Sequence, residues 1–371
     1  MPRWDIFCAV IDNYGDIAVT WRLARQLTAE HGIDVRLWVD DLRPLAALYP
    51  STNPDARRQI IDGVEIRQWT ADFPAVDVAD VVIEAFACNI PDSYIAAMAA
   101  STVKPRWFNL EYLSAEDWVA GCHSLPSPHP RLPLVKHFFF PGFTAGTGGL
   151  LREHDLLDRR HEFQASSAQQ AGFWAQLGIA PDPAAFKISL FGYENPALGE
   201  LLQAWVDNAT PICCALPDSR LTPQVSEFFG ADNVWQRGNL TVYRLPFLDQ
   251  DHYDRLLWAC DMNFVRGEDS FVRALWAGQP FVWHIYPQSG NAHHVKLDAF
   301  LTLYRRGLDS PSAAVLTGFW HSWNQIGAQP LAWQSWQRAY PQIRQHHETW
   351  VDRLAQQPDL ATNLVKAACN A

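Results

Sequence analysis

No stretch of the 371 residues approaches the ~18 consecutive apolar residues that a membrane-crossing helix needs, so no transmembrane segment is expected. The opening residues, Met1-Pro2-Arg3-Trp4-Asp5, run directly into a strand pattern without the apolar core of a signal peptide. Positive charge is scarce: 29 Lys and Arg stand against 40 Asp and Glu, a net charge of -11. Non-specific affinity for nucleic acid comes from clustered cations, so a nucleic-acid partner is not expected. An anionic ligand would need a local cationic site instead of a global field. The seven cysteines are odd in number and form no CxxC pair. Free thiols in a reducing compartment are the simplest reading, which places the chain in the cytoplasm. P-loop, nucleophile-elbow and Cys/His zinc patterns are also missing. His293-His294 and His346-His347 are adjacent pairs, and neighbours on a helix point apart, so neither suggests a shared metal.

What the chain does have is enough length for two domains, each able to bury its own core. Its 17 Trp residues serve cores, and they also offer flat faces for sugars or bases. Short apolar runs at 6–11, 35–39, 64–69, 81–86, 106–110 and 137–140 read as strands, with a helix over 17–31 ended by Gly32. The pattern restarts with strands at 186–191, 212–216, 240–245, 262–265 and 281–285. Between them lie helices near 196–206, 223–229, 250–260 and 270–277, and the tail from about 348 to 368 is helical. Strands alternating with helices imply parallel sheets covered on both faces. The expected organisation is an α/β chain with one doubly wound domain over 1–155, a linker over 156–180 and a second over 181–349, enclosing a cleft. The Pro-rich segment 124–133 is expected to be an extended surface loop, and Gly142, Gly146, Gly148 and Gly149 a flexible turn.

Ligands of doubly wound folds sit beyond the C-terminal ends of strands, and two loops there are chemically rich. The first is Asp12-Asn13-Tyr14-Gly15-Asp16. With one Gly and two carboxylates it is a poor pyrophosphate cradle. Asp16 could cap the following helix and Asp12 could end a strand, but that accounts poorly for two acids flanking Asn-Tyr-Gly. Loop acids at such a place favour acid–base work. The second is Arg266-Gly267-Glu268-Asp269-Ser270. A guanidinium before a helix N-terminus, with Ser270 nearby, suits a diphosphate, and Glu268 could accept hydrogen bonds from a ribose. Helix-dipole compensation explains Glu268 and Asp269 but gives Arg266 and Gly267 no place. Tyr286, Gln288, Phe191, Tyr193 and Phe247 stand at strand ends, where singly each suits packing as well as ligand contact. Asp249-Gln250-Asp251 is formally a DxD triplet, but it opens a helix, and capping explains it better.

With these loops in place, the chain resembles the bacterial protein-arginine rhamnosyltransferases that modify translation elongation factor P. The likeness spans nearly the whole chain. It is carried by residues 11–16 with Trp21-Arg22-Leu23-Ala24-Arg25, by 82–88 (VIEAFAC), by 110–116 (LEYLSAE), by 266–274 (RGEDSFVRA) and by 281–288 (FVWHIYPQ). The resemblance implies a GT-B glycosyltransferase fold, with the acceptor on the N-terminal half and dTDP-β-L-rhamnose on the C-terminal half. It implies inverting, metal-independent transfer of rhamnose to one arginine of elongation factor P, which activates that factor for rescue of stalled ribosomes. It implies Asp16 as general base, Asp12 as a second essential acid and Glu268 as essential in the sugar-nucleotide site. Arg266, Asp269 and Ser270 match the diphosphate-loop positions, and Asn13, Tyr14, Gly15, Phe191, Tyr193, Phe247, Gln250, Tyr286 and Gln288 are the implied remaining nucleotide-sugar contacts. It also implies that the last helix packs back on the first domain.

Two other readings compete on residues alone. A glycosyltransferase acting on a small or lipid acceptor would want a membrane-docking helix near the first domain, and no clear candidate is present. A nucleotide-sugar-binding regulatory module would need Arg266 and Glu268 but has no need for Asp12 and Asp16.

Overall fold

A computed structural model describes residues 2–11, 14–327 and 330–370. The chain divides into two compact units, Met1–His154 with Gln356–Ala371, and Asp155–Ala355. No helix among the described residues is long and apolar enough to cross a membrane.

The first unit is built on β1 (Arg3–Cys8), β2 (Asp34–Val39), β3 (Arg58–Ile61), β4 (Val64–Gln68), β5 (Val81–Ala85), β6 (Arg106–Leu110), β7 (Pro126–Pro128) and β8 (Val135–Phe139). They form one sheet in the order β3-β4-β2-β1-β5-β6-β8-β7. The interior ladders are parallel, and only the edge strands β3 and β7 run antiparallel. Period-two alternation divides β1 between two cores. Trp4, Ile6 and Cys8 meet the helix Gly15–His31 through Ile17, Trp21, Leu23 and Leu27, while Phe7 turns to Trp38, Val82, Tyr94 and Met98 on the other face. Asp5 shares that second face and is fully buried. It survives there because Arg36 donates to it from Nε at 2.8 Å and Tyr94 donates its hydroxyl. The helix Leu360–Asn370 returns to this unit, where Leu360, Ala361 and Leu364 complete the first core.

The second unit carries β9 (Phe186–Leu190), β10 (Ile212–Pro217), β11 (Val234–Arg237), β12 (Leu240–Leu245), β13 (Met262–Arg266) and β14 (Phe281–His284). Their order is β11-β12-β10-β9-β13-β14, parallel except for β11 against β12. Both sheets therefore wind outward in one direction, return to the middle, and wind outward in the other. Residues 156–180, read as a linker, are instead largely the helices Leu156–Ala165 and Ser167–Gln176. Phe163, Phe173 and Trp174 bury them within the second unit. The helical tail breaks between Trp333–Ala355 and Leu360–Asn370, with Pro358 in the gap.

The glycine-rich stretch at 142–149 also differs from expectation. It is a packed strap, with Gly142, Phe143, Leu150 and Leu151 buried. A Cβ on Gly148 would stand 2.4 Å from the Phe139 ring, and one on Gly149, at φ +79°, would stand 2.6 Å from the Pro358 carbonyl. Close approach, not mobility, is what these glycines supply. Gly148→Ala should therefore lower the stability of the first unit by about 1–3 kcal/mol. The check is its urea-unfolding midpoint, and an unchanged midpoint would show that Phe139 yields without loss.

Candidate functional site

In a doubly wound sheet the crevice lies where two adjacent central strands send their crossovers to opposite faces. In the first unit that point falls between β1 and β5, in the second between β9 and β13. The loops leaving those strands carry most of the residues singled out in the sequence.

At the β1 end, Asp12 and Asn13 lie outside the described residues. Tyr14 is the N-cap of the helix Gly15–His31 and offers it no side-chain cap; Gly15 is its first residue. Asp16 sits in the first helical turn and is 2% exposed. Its carboxylate reaches back out of the helix: Oδ2 accepts from the Ile11 N–H at 3.0 Å, and Oδ1 accepts from the Tyr112 hydroxyl at 3.2 Å. A carboxylate held on both oxygens by groups outside its own helix is oriented, which simple capping would not require. Beside it, Glu84 and Lys136 form a 3.0 Å ion pair, and Asn109 donates to Glu111, whose pKa burial raises above the ordinary range.

At the β9–β13 crevice, the Arg266 guanidinium carbon lies 4.7 Å from the Phe191 ring centre and 4.8 Å from that of Tyr193. Arg266 makes no ion pair with a carboxylate among the described residues, and its Nε is buried without a hydrogen-bond partner there. A cation resting on two aromatic faces keeps its charge available to an incoming anion. Gly267 turns the chain at φ +68°, and its carbonyl accepts from Trp283 Nε1 at 2.8 Å. Glu268 is the N-cap of the helix Asp269–Trp276, which Asp269 and Ser270 open. Lys296 pairs with the Glu268 carboxylate at 2.9 Å. Tyr286 packs edge-on against Tyr193 and is half-exposed. Gln288 is exposed, with its N–H on His293 Nδ1 at 3.0 Å. Phe247, 42% exposed, follows β12, and the buried Gln250 opens the next helix, whose Tyr253 packs on Phe191. Asp249 caps that helix by accepting from His252 N–H at 2.8 Å, so the DxD triplet is a cap.

The structure thus gathers Phe191, Tyr193, Arg266 and Tyr286 in direct contact, with Glu268, Asp269 and Ser270 on the same loop. For Phe247, Gln250 and Gln288 it shows placement near the same strand ends. Lys296 and Tyr253 had no signal in the sequence, and Tyr112 and His284 stood inside distinctive runs without a role of their own, because each reaches its partner from a distant segment. The His293 and His294 rings lie 4.2 Å apart instead of diverging, but His293 Nδ1 is already an acceptor for Gln288. His346 and His347 are spent on Tyr304 and on the Leu275 carbonyl. No group of three or more metal-ligating side chains occurs among the described residues.

The chain matches the family model described as Elongation-Factor P (EF-P) rhamnosyltransferase EarP over residues 4–368. It is 53% identical to the protein-arginine rhamnosyltransferase of Pseudomonas putida, over 98% of this chain and 97% of that one. It is similar to a solved structure giving the structural basis for EarP-mediated arginine glycosylation of translation elongation factor EF-P. There the TM-score is 0.70, with 39% identity and all of both chains covered. A UGT transferase from Siraitia grosvenorii, solved with UDP, shares the fold at TM-score 0.52 and 9% identity, with 99% of each chain covered. The fold is that of GT-B glycosyltransferases.

His284 ends β14 beneath this second loop cluster, accepting the Tyr193 N–H on Nδ1 at 3.3 Å. Burial drives its pKa down to about 3, and does the same to His347. Both stay neutral when folded but take up protons near pH 6.5 when unfolded. Lowering the pH from 6.5 towards 3 should therefore destabilise the second unit, by up to about 1.4 kcal/mol per pH unit for each histidine. Urea unfolding at pH 7 and pH 5 reads this directly. A midpoint that did not fall at the lower pH would contradict it.

Proposed function

The chain belongs to the elongation factor P rhamnosyltransferase family EarP, and we propose that it transfers L-rhamnose from dTDP-β-L-rhamnose to one arginine of translation elongation factor P, inverting the anomeric carbon. The observation that carries the reading is the oriented Asp16 carboxylate at the switch point of the first sheet, in a chain of this family. The acceptor is then handled by the first unit and the nucleotide sugar by the second. A translation factor as acceptor places the enzyme in the cytoplasm.

The chemical difficulty lies in the nucleophile. A guanidinium holds its proton throughout the ordinary pH range and has a delocalised lone pair, so it attacks poorly unless held and deprotonated as it reacts. Asp16 accepts a charge-assisted hydrogen bond from the reacting nitrogen and takes its proton while the N–C1 bond forms. Asp12 is the second acid that holds the planar group in line. On the opposite face of the sugar the C1–O bond breaks, and the departing nucleotide diphosphate keeps the electron pair. Arg266 and the backbone N–H groups at the start of the helix Asp269–Trp276 supply positive potential to that leaving group. Ser270 and Asp269 line the same loop, and Glu268, fixed by Lys296, accepts from hydroxyls of the sugar nucleotide. Phe191, Tyr193, Phe247, Gln250, Tyr286 and Gln288 complete its binding surface. This division of labour asks nothing of a metal.

Incubation with dTDP-rhamnose and elongation factor P should add one deoxyhexose to an arginine, seen by mass spectrometry of the acceptor. Asp16→Asn should reduce turnover by about 10²–10⁴-fold while sugar-nucleotide affinity holds. Arg266→Gln should weaken binding of that nucleotide by about ten- to a hundredfold. The reading fails if the wild-type chain adds no deoxyhexose, and the base assignment fails if Asp16→Asn turns over near normally.

A further inference from the structure

Two of the most distinctive sequence runs, 82–88 and 110–116, have no part in the chemistry so far. They follow the adjacent strands β5 and β6, and they converge on Asp16. The Tyr112 ring stacks on the Phe86 ring with centroids 4.5 Å apart and planes at 17°. From that stack the Tyr112 hydroxyl donates to Asp16 Oδ1. Phe86 is itself pinned: its N–H bonds the Leu110 carbonyl at 2.7 Å, and the Ala87 N–H bonds Asn109 Oδ1 at 3.2 Å. The segment is also strained. Phe86, Ala87 and Asn89 lie at φ +55°, +53° and +55°, none of them glycine. Each such residue costs about 1–3 kcal/mol and persists only where its surroundings over-determine it, typically at functional sites. Core burial gives a weak reason for Tyr112, which is 40% exposed.

We propose that Tyr112 is a positioning residue for the transfer reaction, setting the plane of the Asp16 carboxylate, with Phe86 as its support. The proposal rests on the function assigned above and adds a residue to it. Rotation of a carboxylate about its last torsion is soft and nearly two-fold. The Ile11 N–H anchors one oxygen, and the Tyr112 hydroxyl meets the other. A second donor from outside the helix fixes both oxygens and so the direction of the lone pair that meets the acceptor nitrogen. Misplacing a reacting group by about 1 Å can lower turnover about a hundredfold.

The test is Tyr112→Phe, which keeps the ring stack and deletes one oxygen. We expect kcat to fall about ten- to a hundredfold, with KM for the sugar nucleotide and the thermal midpoint unchanged. In an Asp16→Asn background the same substitution should add no further loss, because both changes disable one unit. Phe86→Leu, which keeps apolar bulk but not the flat face, should give a smaller loss in kcat alone. The proposal is overturned if Tyr112→Phe turns over within twofold of wild type, if its loss lies in KM, or if the two losses multiply. A wild-type chain that transfers no rhamnose would overturn the parent reading as well, so the two failures are distinguishable.

Discussion

A parallel strand can be followed by another only through a crossover that returns the chain to the starting edge, and in this protein that requirement decides where chemistry can stand. Every interior strand of a unit delivers its last residue to the same edge. Where winding reverses, at β1/β5 and at β9/β13, the two crossovers leave on opposite faces and open a crevice. Asp16, Phe86 and Tyr112 come together in one unit for this reason, although they are spread over nearly a hundred residues of sequence. Phe191 and Arg266 meet in the other for the same reason.

The electrostatics are local. In a chain at -11 the second crevice holds the Arg266 guanidinium laid on two aromatic faces, without an ion pair to a carboxylate among the described residues. Two residues on, Glu268 is matched by Lys296 at 2.9 Å. His284 below it is kept neutral by burial, which spares Arg266 a second cation beneath the site. In the first unit the balance is opposite: an oriented carboxylate at the crevice, with the nearby Glu84 compensated by Lys136.

Most interior strands were legible because they are short runs rich in apolar residues, several of them buried on both faces. Arg106–Leu110 and Leu240–Leu245 begin and end where the sequence pattern does. The edge strands β3, β7 and β11 were not, since half-exposed patterns such as Arg-Gln-Ile-Ile or Pro-Ser-Pro carry little periodic signal. The helices at 156–176 were mistaken for a linker because their polar faces dominate, and only three aromatics reveal the buried side. The strap at 142–149 shows the ambiguity of glycine, which permits both freedom and close contact. At the site, the loop acids and Arg266–Ser270 stood out as local clusters. Tyr112 and Lys296 could not, because nothing in sequence links residue 16 to 112 or 268 to 296. Nor could the left-handed backbone at Phe86 and Ala87 be read, since neither is a residue that ordinarily signals it.

The return of the helix Leu360–Asn370 has a temporal side. Leu360, Ala361 and Leu364 seal the apolar face that Ile17, Leu23 and Leu27 expose on the first helix, yet they are synthesised only after the whole second unit. Domains made as continuous segments can fold while translation proceeds. The second unit, residues 155–355, has that option. The first does not: its core stays open on the ribosome until the helix beyond the second unit has emerged, so the unit that opens the chain closes after the one that interrupts it.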